Sequence, residues 1–357
     1  MRAAFIVIGL VVAGVVAWLV LSPGESGQRA GEGARTLTIT SFGGAYATSQ
    51  REAYYKPFTR ETGVAIVEDE YNGELSKVKA MVRAGSVTWD IVDMEADSVL
   101  RGCDEGLFEP IDKALLGDVA DFLDTAVHDC GVASAVWSMV IAYDEKKLPS
   151  GPTGVADFFD LTKFPGKRTL RKNPKATLEQ ALMADGVPPD QVYAVLGAPG
   201  GVERGLAKLD SIKSQVVWWE AGAQPPQLLA DGEVVMAQSY NGRIYDATKN
   251  EGKSFKIVWD GQVYDYDYWV VPRGTKRKAD AMRFIGFAVQ PKQMAEQSKH
   301  IAYAPTRRSA AALVSPTIQA DMPTAPANFK RAVRIDARWW ADHFDEINGK
   351  FQAWLAR

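Results

Sequence analysis

The sequence predicts an α/β protein of two similar lobes with a ligand crevice between them, and three observations carry that prediction. A strand, helix, strand, helix, strand order runs through 36–93, which at this spacing means a parallel sheet with helices on its faces. The pattern restarts at 166, after a long apolar run at 131–144 that reads as a strand crossing from one lobe into the next. A chain of 357 residues, 46% hydrophobic and 24% charged, is also large and apolar enough for two cores of ordinary size.

In order, 36–40 (Thr-Leu-Thr-Ile-Thr) alternates with period two and is β-branched, so it opens the chain as a strand. Gly43 and Gly44 follow and permit a close backbone approach to a ligand. A helix is expected over 47–62 with Gly63 as its stop, then a strand at 64–70, a helix at 74–84 and a strand at 89–93. The second αβ series is a strand at 166–171, helices at 178–184 and 202–213, a strand at 216–219 and a helix at 227–230. Two apolar β runs at 233–237 and 255–259 come next, and 279–289, 291–299 and 326–356 read as helical.

Several classes fall away early. A net charge of -3 with no Lys/Arg stripe gives no footprint for nucleic acid. His128, His300 and His343 are the three histidines, none beside a Ser or Cys at a strand end, and no Gly-x-Ser-x-Gly elbow exists, so no catalytic triad assembles. Gly197 to Gly201 matches neither phosphate-binding glycine motif, and a partial calcium loop at 68–79 fails on Lys79 at its twelfth position. No metal or cofactor is expected.

The apolar run at 3–21 reads as a signal peptide or an uncleaved membrane anchor within 1–24, and 25–35 as a flexible tether. Either way the body is exported. In an oxidising compartment the two cysteines, Cys103 and Cys130, favour one disulfide closing a loop of about 27 residues, with free buried thiols as the alternative.

The chemistry gathers after the two apolar runs. Gln238-Ser239-Tyr240-Asn241-Gly242-Arg243 follows the first, and 263–272, with Asp265, Asp267 and three tyrosines, follows the second. In extended geometry Asp265 and Asp267 share one side of the strand, and Tyr264, Tyr266 and Tyr268 the other. A carboxylate beside aromatic rings suits a cationic ligand, through a charge-assisted hydrogen bond and cation-π contact. Arg243 is either a surface residue or a fork that grips a carboxylate in bidentate fashion. In Asp93-Met94-Glu95-Ala96-Asp97, the acids either cap a helix or present Glu95 to an ammonium group.

The order of Ser41-Phe42-Gly43-Gly44-Ala45-Tyr46, Trp89-Asp90-Ile91-Val92, Val136-Trp137-Ser138, Phe164-Pro165-Gly166-Lys167, Gly232-Glu233-Val234-Val235, Tyr240-Asn241-Gly242, Asp267 ahead of Pro272, and Tyr303-Ala304-Pro305-Thr306 resembles the periplasmic solute-binding proteins of the spermidine/putrescine class. The likeness spans nearly all of 36–355. It implies a monomeric, two-lobed binder of the type II periplasmic-binding-protein fold that delivers a solute to an ABC permease in the inner membrane. Lobe 1 would comprise 36–138 and 266–320, and lobe 2 139–265 and 321–357. Carried over by position, Phe42, Tyr46, Trp137, Ser138, Tyr240 and Tyr303 would wall the site, Asp267 would take a primary amine, and Glu95 lies in the loop after the third strand.

Two departures bear on the solute. The segment at 173–176, where polyamine binders carry extra acids, has none, and Arg243 stands where a putrescine binder holds an acid. Two like charges about 4 Å apart cost roughly 4 kcal/mol at an effective dielectric of 20. The expectation is therefore a γ-aminobutyrate-like ω-amino acid, with a polyamine as the alternative and a sensory module or secreted enzyme as readings from other classes.

Overall fold

The computed structural model describes Arg35–Arg357. The expected export segment at 1–24 and the tether up to residue 34 lie outside the described residues. Within them no helix is long and apolar enough to cross a membrane.

Nine strands of the described residues share one sheet: β1 (Thr36–Ser41), β2 (Ala65–Glu70), β3 (Ile91–Glu95), β4 (Val132–Asp144), β5 (Arg168–Arg171), β6 (Val216–Trp219), β7 (Met236–Tyr240), β8 (Phe255–Val270) and β9 (Val333–Arg334). Their order is β2-β1-β3-β8-β4-β7-β5-β6, with β9 beside β8. The same motif therefore occurs twice. β2-β1-β3 is parallel and capped by antiparallel β8, while β6-β5-β7 is parallel and capped by antiparallel β4. Long β4 and β8 pair with each other over most of their length and so thread both halves. Burial explains their composition: the first eleven residues of β4 are all buried and read as a mostly apolar run, broken by Ser134 and Ser138, instead of an alternation.

Two large apolar clusters flank this seam. One gathers Leu37, Phe58, Ile91, Trp269 and Phe284, and the other Leu178, Met236, Val263, Trp340 and Phe351. Membership changes over around 135–137 on β4 and between Val263 and Tyr266 on β8. We propose these crossings as the boundary between lobes. Cys103 and Cys130 form a disulfide with Cα atoms 6.1 Å apart. It ties the helix Ala96–Asp104 to the chain entering β4.

Three expectations need correcting. The apolar run at 255–259 and the extended stretch at 263–272 are not separate pieces: one strand, β8, runs from Phe255 to Val270, so Asp265 and Asp267 sit well inside it, on a buried face. The first run extends three residues past Ala237, carrying Gln238, Ser239 and Tyr240 into β7. Residues 326–336 are not helical; Asp336 accepts from the Trp339 N–H at 2.9 Å and starts the C-terminal helix Ala337–Leu355 there.

Candidate binding site between the strand ends

A small, tight cavity opens where β1, β3, β7 and β8 converge. Its most unusual member is Asp267. The register sets it opposite Glu95 on β3 and opposite Ala135 on β4, so two carboxylates face each other across adjacent strands. It is 4% exposed and joins no ion pair among the described residues. Burial, and then the negative charges of Asp93, Glu95 and Asp265, push its pKa well above the ordinary carboxylate value, with the nearby Trp137 indole working slightly the other way. Only an added cation would let it ionise comfortably.

Asp93 is the second strained acid. Burial raises it to about 7 although Gln50 Nε2, Ser41 Oγ and Ser134 Oγ donate to its carboxylate. Burial likewise lifts Asp265 to about 8, and its Oδ2 has no hydrogen-bond partner among the described residues. Asp265 does not line the cavity.

Arg243 enters from the first turn of the helix Asn241–Lys249. Its Nη1 donates to the Gly43 carbonyl at 2.7 Å and its Nη2 to the Phe42 carbonyl at 3.0 Å, joining the helix after β7 to the loop after β1. Two glycines permit this. Gly43 and Gly44 take positive φ of 66° and 55°, and a Cβ on Gly44 would stand 2.6 Å from Nη1. The guanidinium keeps unspent donors, among them a buried Nε with no partner among the described residues.

Aromatic rings supply the walls. Phe42, Tyr46, Tyr240 and Tyr303 line the cavity, with Tyr46 and Tyr303 edge to face at 5.2 Å. Trp137 stands one layer back, edge on to Tyr240 at 5.2 Å. Ser138 is not brought to the cavity. Its N–H donates to Asn241 Oδ1 at 3.0 Å and its hydroxyl to the Val263 carbonyl at 3.4 Å, which fixes the helix bearing Arg243 against the crossing strand.

Glu95 lines the cavity but is already engaged. Arg171 Nη1 lies 2.9 Å from Oε1 and Lys175 Nζ 2.5 Å from Oε2. Burial pushes this acid up, yet the two cations outweigh it and hold the carboxyl down to about 2. Lys175 also pairs with Asp97, so that acid, expected as a plain helix cap, faces a lysine instead. Arg171 and Lys175 escaped sequence reasoning because their partners lie 76 and 78 residues away. The only signal was the basic run Arg168 to Lys175 in a segment where acids were sought.

Comparison with known proteins gives the class. Residues 53–326 match the family of bacterial extracellular solute-binding proteins, and the chain belongs to that family. The fold is the two-lobed periplasmic-binding-protein fold. The chain is 52% identical to the gamma-aminobutyric acid-binding protein of Pseudomonas aeruginosa PAO1, over 90% of this chain and 92% of the relative. It is similar to the solved structure of a GABA receptor (TM-score 0.80, 35% identity, 90% of this chain and 98% of the other). The binding protein AgtB of A. tumefaciens R10 in complex with agropinic acid gives TM-score 0.84 at 33% identity, covering 90% and 99%. The putrescine-binding protein PotF of Escherichia coli K12 is more distant, 25% identical over 73% of this chain and 76% of its own.

Proposed function

We propose that this protein is the periplasmic receptor of an ABC importer, that it performs no catalysis, and that it binds γ-aminobutyrate or a near ω-amino acid. Asp267 takes the ammonium group and Arg243 the carboxylate. The single observation behind this reading is a pairing of opposites in one small cavity: a buried carboxylate in no ion pair among the described residues, and a buried guanidinium with donors to spare. Phe42, Tyr46, Tyr240 and Tyr303 wall the slot, Trp137 backs Tyr240, and Glu95 is a structural anchor for Arg171 and Lys175 instead of an amine acceptor.

Charge argues for a solute with a single amine, because Arg243 would oppose a second ammonium at its end of the slot.

The test is isothermal titration of protein unfolded and refolded to remove carried-over solute, with γ-aminobutyrate and putrescine in parallel. The amino acid should bind and putrescine should not; the reverse result ends this assignment. Asp267→Asn should then weaken binding by about 2 to 5 kcal/mol, as loss of one partner of a buried charge pair does. Affinity that scarcely moves would remove Asp267 from the ammonium role.

A further inference from the structure

We propose that the protein carries a second ammonium site filled by its own Lys175, and that this tethered cation selects single-amine solutes over diamines. The inference rests on the placement of the solute amine at Asp267.

The ammonium group of Lys175 sits in surroundings that would suit a bound amine. The residue is 2% exposed, with Nζ on Glu95 and Asp97 together. Asp265, whose Oδ2 has no partner among the described residues, is close enough to feel its charge. Glu95, which holds Lys175, also lines the solute cavity. Glu95 also lines an outer cleft of about 580 Å³, open to solvent, together with Asp97, Arg171 and Lys175. Lys175 and Arg171 line the cleft and not the inner cavity, and both pair with Glu95, which lines both.

The local chain is bent to deliver this lysine. Ala176 holds a positive φ of 65°, one of two non-glycine residues among those described to do so, and the Lys175 N–H is fixed by Asn173 Oδ1 at 2.9 Å. A left-handed residue without glycine persists only where surrounding contacts over-determine it, and the ion pairs of Lys175 supply such contacts. Removing the side chain would leave Glu95 and Asp97 around a space adjoining the solute cavity, with Asp265 nearby. A diamine anchored at Asp267 could place its second charge there.

Two variants separate the tethered cation from mere packing. Lys175→Ala should make room, and Lys175→Met should keep most of the bulk without the charge. The probe is ethylammonium chloride against equal sodium chloride, read by thermal unfolding. The amine should raise the melting temperature of Lys175→Ala while leaving wild type and Lys175→Met unmoved; the same response in all three overturns the proposal. If Lys175→Ala folds only when refolded with ethylammonium, that also supports it, and failure to fold with the amine while Lys175→Met folds without it overturns it. Putrescine should bind Lys175→Ala about tenfold or more tighter than wild type, equivalent to about 1.4 kcal/mol. No gain, with γ-aminobutyrate still bound by wild type, sinks the specificity claim alone. Failure of γ-aminobutyrate to bind wild type sinks the solute assignment, while the ethylammonium response still decides whether the ammonium site exists.

Discussion

Arg243 and Asp267 illustrate two ways in which one residue announces itself. Asp267 stood out as a carboxylate at a strand end beside aromatic rings, and Arg243 because it follows Asn241-Gly242 after a strand. Lys175 and Arg171 gave no comparable sign: each reads as an ordinary surface cation until the fold brings β3 and β5 together. A test belongs at this scale. Arg243→Lys keeps the charge and loses the planar fork, so affinity for an ω-amino acid should fall by about tenfold or more, equivalent to about 1.4 kcal/mol, in titration calorimetry. Unchanged affinity would mean that the carboxylate is held elsewhere.

Among the elements, the strands were legible and their ends were not. Alternation and β-branching located β1, β5 and β6 within a few residues, whereas the polar residues between 255–259 and 263–268 hid that the two stretches are one strand, since a buried strand next to a charged site no longer looks apolar. Residues 326–336 were read as helix because the periodic segment after them has no glycine or proline to mark its start, and only the Asp336 cap does so. The helix Asn241–Lys249 offers a sharp element-level prediction. A Cβ on Gly242 would lie 2.5 Å from both Ile301 Cγ1 and Tyr303 Cε1, so Gly242→Ala should displace the tyrosine wall and weaken solute binding. Titration with the variant folded, judged by circular dichroism, checks it. The disulfide offers another: replacing Cys103 and Cys130 by Ser should lower unfolding free energy by about 3 kcal/mol in urea, on the loop-entropy argument for a separation of 27 residues.

For the whole molecule, the buried acids make stability depend on pH in a direction the sequence could not show, since burial and register decide it. Asp93 and Asp265 have native values raised to about 7 and about 8, so their contribution is fully present below the unfolded value of 3.8 and is lost as pH rises through 7 to 8. Glu95, held at about 2, works oppositely: its contribution is present above 4.5 and is lost as pH falls toward 2. The melting temperature should therefore fall between about pH 5.5 and about pH 8.5, and a saturating ω-amino acid should flatten that fall by stabilising ionised Asp267. A scanning fluorimetry series with and without solute measures both, and a rise of the solute-free curve over that interval would contradict the assignment of the raised acids.

The seam of β4 and β8 carries one more consequence. Their pairing slips register twice, between Ala133 and Ala135 and between Met139 and Ile141, and such slips bend and twist a ladder locally. The stretch between them contains Trp137 and Ser138 and lies opposite Asp265 and Asp267. A mechanical engineer would call this a flexure: stiff plates joined by a thin strip whose two weakened lines confine motion to one angle. With Asp267 mounted on that strip, the proposed role of Asp267 as the solute's charge partner would make the electrostatics of capture and the angle between the plates one coordinate. A docking partner would then need to gauge only that angle to know whether the receptor is loaded.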